Sequence, residues 1–84
     1  MRIVTFRYTG HEGRFQQQAA MLQKSVADRP LSGTVEQRDG QYVIDEYKEV
    51  KVTILSDNIV HEKEAVKRAR AYGFEEVISP QLVY

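Results

Sequence analysis

The chain contains no cysteine. Disulfides, thiolate metal sites and cysteine nucleophiles are therefore excluded. A small fold without such staples fits the cytoplasm better than an oxidising compartment. Neither sign of charge dominates: 12 Lys and Arg face 12 Asp and Glu. A dedicated nucleic-acid binder usually carries an excess of base, so nucleic acid is an alternative partner rather than the favoured one. The same balance gives little colloidal repulsion, which favours self-association. No apolar run approaches the roughly 18 residues of a membrane span. The opening MRIVTFRYTG also lacks the pattern of a secretory signal. No membrane partner is expected.

What is present reads as one domain, residues 1–84. At this size folding buries only about 60% of the unfolded surface, so a second subunit would add stability. The chain is organised around Gln41 to Leu55, QYVIDEYKEVKVTIL. This stretch is rich in Val, Ile, Tyr and Thr and free of Gly and Pro, a composition suited to extended chain on a pleated surface. Val50, Val52 and Ile54 alternate with Lys51 and Thr53, so one side seeks a core. As a single straight strand it would span about 50 Å, too long for this domain. A bend is expected at Asp45 to Glu49: either a bulge that turns Glu46 and Lys48 outward, the favoured reading, or a tight turn between two strands.

Arg2 to Tyr8 alternates in the same way and predicts the first strand. Thr9 and Glu12 have capping-box spacing, and the first helix is expected from about Arg14. Its stripe is Phe15, Ala19, Leu22 and Val26, at steps of four, three and four. Gln16, Gln17, Gln23 and Lys24 fill the solvated faces. Met21 lies off the stripe, as a flank or partner contact. Pro30 stops the helix near Asp28. Thr34 to Arg38 is a polar strand suited to a sheet edge. Asp39-Gly40 then predicts a two-residue hairpin pairing Val35 with Ile44 and Gln37 with Tyr42.

Ser56, Asp57 and Asn58 stop the central stretch and cap a second helix, from about Val60 to Tyr72. Its expected inner face is Ala65, Val66, Ala69 and Tyr72. Early Glu62 and Glu64 and late Lys67, Arg68 and Arg70 match the helix dipole. Glu64 to Arg68 is a favourable pair at four residues. Gly73 suits the position after the helix, with Phe74 folding back. Glu75 to Ser79 is a last edge strand interrupted by Pro80. The order β-α-β-β-α-β is the α+β, ferredoxin-like arrangement: two helices on one face of a four-stranded antiparallel sheet. The first strand and the central stretch should be its middle strands.

Three sets of residues stand out. Lys63, Lys67 and Arg70 share a helix face and are candidate partner-binding residues; the bland reading is an ordinary charged outer face. Leu82, Val83 and Tyr84 form an apolar tail that could add to a sheet edge, also a candidate partner contact. His11 and Arg14 flank a glycine-containing loop before a helix N-terminus, where free N–H groups can hold an anion. A plain connection is the simpler reading, since no phosphate-binding fingerprint is present. An RNA-binding sheet needs exposed rings on its central strands. That requires Phe6 and Tyr8 to face outward, against the pattern. His11 and His61 are fifty positions apart and form no ligand or triad pattern. No catalytic residue, metal or cofactor is assigned. The expectation is a small non-enzymatic protein-binding or regulatory module, inhibition included, that self-associates. A nucleic-acid-binding module and a small-molecule enzyme are the alternatives.

Overall fold

Alternation in the first strand and in the second half of the central stretch produces two neighbouring strands. In the computed structural model, β1 (Arg2–Tyr8) and β3 (Glu46–Ile54) pair antiparallel, with Val4 opposite Val52 and Phe6 opposite Val50. The structure describes residues 1–41 and 46–77. For Glu12, residues 38–41 and residues 46–47 it describes the backbone alone. The other elements are a short 3₁₀ turn (Glu12–Arg14), α1 (Phe15–Val26), β2 (Thr34–Gln41), α2 (Ile59–Ala71) and β4 (Phe74–Glu76). The sheet order is β2-β3-β1-β4, every described neighbour antiparallel. This is the ferredoxin-like order, with β1 and β3 in the middle as expected.

The core lies between one sheet face and the two helices. Val4, Phe6, Val50, Val52, Ile54 and Phe74 come from the sheet; Phe15, Ala19, Leu22 and Val26 come from α1, and Ala65 and Ala69 from α2. Leu31, which the sequence places in a plain connection, is also fully buried. Tyr8, Phe15 and Phe74 form a ring cluster with centroids 5.2 to 6.3 Å apart. Tilted and edge-on ring pairs of this kind add to the burial itself. Phe6 and Tyr8 therefore face the helices. The open face carries Ile3, Thr5, Arg7, Glu49, Lys51 and Thr53, without a ring among the described side chains.

The central stretch differs from its reading. The β2–β3 register runs without interruption from Thr34 opposite Thr53 to Gln41 opposite Glu46. There is no bulge at residues 46–49, and Asp39-Gly40 lies inside β2 rather than at a turn. Val35 pairs with Val52 and Gln37 with Val50. Gln41 pairs with Glu46, so the stretch begins as the end of β2 and finishes as β3 rather than forming one strand. Tyr42, Val43, Ile44 and Asp45 lie outside the described residues. An edge strand accommodates Asp-Gly at modest cost, since its outer side pairs with no strand among the described residues. Lys48 stays on the helix side of the sheet with Val50 and Val52, half-buried, its ammonium 5.9 Å from the centre of the Phe15 ring.

α1 begins at Phe15 and ends at Val26, slightly inside its predicted limits. Gln23 is not a solvated residue. Its side-chain nitrogen donates to the Gly33 carbonyl (3.0 Å), and its oxygen accepts from the Val35 N–H (2.8 Å). Gly33 is buried against α1, and a Cβ there would meet Val26 Cγ2 at 2.9 Å. At the end of α2, Gly73 takes φ of 92°, the left-handed conformation that favours glycine at this position.

Candidate functional site: a groove beside the second helix

Local capping fixes where α2 starts. The Asn58 side chain accepts from the Val60 N–H at 2.9 Å. Ser56 Oγ accepts from the Asn58 N–H at 3.1 Å and lies 2.6 Å from His61 Nδ1. These contacts satisfy donors that a helix N-terminus otherwise leaves unpaired. They account for Ser56 and His61 as capping residues. Among the described residues no carboxylate orients the other ring nitrogen, so nothing here has the geometry of a triad.

Two alanines set how α2 docks. Ala65 and Ala69 are 1% and 0% exposed, and their short side chains bring the helix backbone close to the sheet. Val66 and Tyr72, expected on the inner face, are half-buried at its margin. Arg68 makes the expected bond to Glu64 at 3.0 Å and also donates to the Ser25 carbonyl near the end of α1. A cation there meets the negative end of α1. Arg2 donates to Glu62 at 2.8 Å and to the Asp57 carbonyl at 2.8 Å. The Met1 ammonium hydrogen-bonds to Asp57. That bond and its charge, with a smaller part from Arg2, hold the Asp57 carboxyl below its ordinary value against slight desolvation.

The side of α2 away from α1 lines a groove of about 480 Å³, bounded by Ile59, Glu62, Lys63, Val66, Lys67, Arg70 and Glu76. Ile59 is 46% exposed and, with Val66, gives an apolar strip. Lys63, Lys67 and Arg70 stand along it and make no ion pair among the described residues. Glu62 is engaged by Arg2, which leaves Glu76 as the acid at the β4 side.

No protein-family model matches the chain, and no curated protein or solved structure matches it significantly.

The three basic residues singled out in the sequence are thus brought together. The apolar half of the site, Ile59 and Val66, went unread. Its signal was present, because these residues are seven apart and fall on the stripe that holds Lys63 and Arg70. The structure places His11 and Arg14 around the 3₁₀ turn, in a loop beside the C-terminal end of α2, where the Thr9 N–H donates to the Gly73 carbonyl at 2.8 Å. His11 Nδ1 accepts from the Gly13 N–H at 3.2 Å, and the His11 carbonyl accepts from the Arg14 N–H and the Tyr8 hydroxyl, both at 2.9 Å. Two N–H groups of that loop are therefore engaged within it. Leu82, Val83 and Tyr84 lie outside the described residues. No helix is long and apolar enough to cross a membrane among the described residues.

Proposed function

We propose that this chain is a small non-enzymatic protein-binding module, acting as a regulator in the cytoplasm. Its groove beside α2 takes an acidic partner segment with apolar anchors. One observation carries the reading: an apolar strip of exposed Ile59 and half-buried Val66 runs beside three cations without ion pairs among the described residues. Apolar anchors supply burial, and the cations select acidic flanks and speed encounter. Of the acids beside these cations, Glu62 is tied to Arg2, which leaves Glu76 alone against Lys63, Lys67 and Arg70 and keeps the groove basic on balance. The apolar strip also favours a protein over a nucleic acid, which would engage the cations and leave Ile59 and Val66 in water.

The test uses a fluorescent peptide alternating Leu and Glu, a matched peptide alternating Leu and Lys, and a single-stranded oligonucleotide. Each is followed by anisotropy over a salt series. Binding of the acidic peptide alone, weakened about tenfold by Lys67→Glu and by Val66→Asp, is expected. Oligonucleotide binding that Val66→Asp leaves unchanged would replace this reading with the nucleic-acid one. Binding of none of the three would remove both.

A further inference from the structure

The open sheet face has an arrangement that the groove does not explain. Its exposed apolar side chains gather at one end of the two central strands. Ile3 is 53% exposed, and Met1 and Leu55, which flank the paired Arg2 and Ile54, are 65% and 66% exposed. The neighbouring positions, Thr53 and Thr34, carry no charge. The next row across the sheet is Glu36, Lys51, Thr5 and Val77, with Lys51 3.4 Å from Glu36. The row beyond it places Arg38, Glu49, Arg7 and Glu75 in register across all four strands. Those signs alternate.

The geometry points to a second copy of this chain as the occupant of the open face. A two-fold axis along the strands, between β1 and β3, exchanges the two central strands and the two edge strands. It sets Arg7 of one copy against Glu49 of the other, and the register position of Arg38 against Glu75. It sets Ile3 against Thr53 and brings the Met1 ends to the Leu55 ends. Lys51 meets Thr5 and Glu36 meets Val77. No position meets its own sign, so the face is self-complementary as an isologous interface requires. The apolar end supplies burial and the charged row sets the register. Four strands and seven residues make a face of only about 450 Å². Over both copies that is roughly 900 Å², below the range of stable complexes and in that of weak, transient ones, so the dimer is reversible and concentration-dependent.

Sedimentation velocity on the full chain tests this, with circular dichroism to check that each variant is folded. The wild type should pass from monomer to dimer as concentration rises. Arg7→Glu and Glu49→Arg should each weaken self-association about tenfold or more, by opposing like charges across the axis. Mixed in equal amounts, the two variants should recover association, because each then meets the opposite sign on the other. Ile3→Glu, at an exposed position, should abolish the dimer without loss of folded signal. A wild type that stays monomeric at the highest concentration overturns the proposal, whatever the variants do. So does a mixture no better than its components, or a folded Ile3→Glu that dimerises normally. Lys67→Glu should leave the dimer unchanged, which separates this surface from the groove.

Discussion

The two helices lie on the same sheet face, yet they use their side chains differently. α1 buries Phe15, Ala19, Leu22 and Val26, and it clamps the start of β2 through Gln23. α2 buries only Ala65 and Ala69. Its larger apolar residues, Ile59, Val60 and Val66, sit at the margin or in water. The first helix is committed to holding the fold together. The second is held by close backbone approach and by polar ties to Arg2 and Ser25, so its outer side is free to meet something else. Core packing is thereby concentrated in one of two elements of similar length, and the other keeps an open outer side.

Substitutions that collapse this division show how real it is. The largest effect is expected at Leu22, which is 0% exposed. Leu22→Ala should cost about 2–5 kcal/mol in urea unfolding, enough to leave a domain this small largely unfolded. Next is Ala69→Leu on the other helix, which overfills a close contact and should cost about 1–3 kcal/mol. If α2 can slide outward the loss will fall well below that range, and the two helices would then differ in rigidity as well as in burial. Gln23→Ala leaves the Val35 N–H and the Gly33 carbonyl without their partner and should cost about 1–2 kcal/mol. Lys67→Glu on α2 should leave the unfolding midpoint almost unchanged, since exposed charges contribute little to stability. A clear destabilisation there would show that α2 is as structural as α1. The smallest effect concerns the cap of α2. The Asp57 carboxyl is held below its ordinary value, so its contribution is present above the unfolded-state value and fades as pH falls through the folded one. Asp57→Asn should slightly flatten the acid side of the stability–pH curve.

The parts of this fold that were legible in the sequence are those where one periodicity dominates. Phe15, Ala19, Leu22 and Val26 repeat at helical steps, and Val50, Val52 and Ile54 alternate, so local pattern and tertiary burial agree. Asp39-Gly40 misled because turn propensity is a local preference of modest size. The register that opposes it is fixed by cross-strand pairs, among them Val35 with Val52, spread along the whole length of β2 and β3. Leu31 stood beside a breaker and looked like a connection, but the packing of two layers decides its burial. Gln23 could not be read at all, since its partners are 10 and 12 residues away and lie on another element. The basic line at Lys63, Lys67 and Arg70 was visible as helix spacing. Its neighbour Glu76 was not, because only the sheet brings β4 beneath that side of α2.

The Gln23 amide has a consequence beyond stability. β2 is an outer strand, and the Val35 N–H turns away from β3 toward Gln23. An edge strand with free donors and acceptors is a template on which other chains can pair and grow. By occupying one donor and one acceptor at the start of that edge, a single side chain leaves fewer groups there on which another strand could pair.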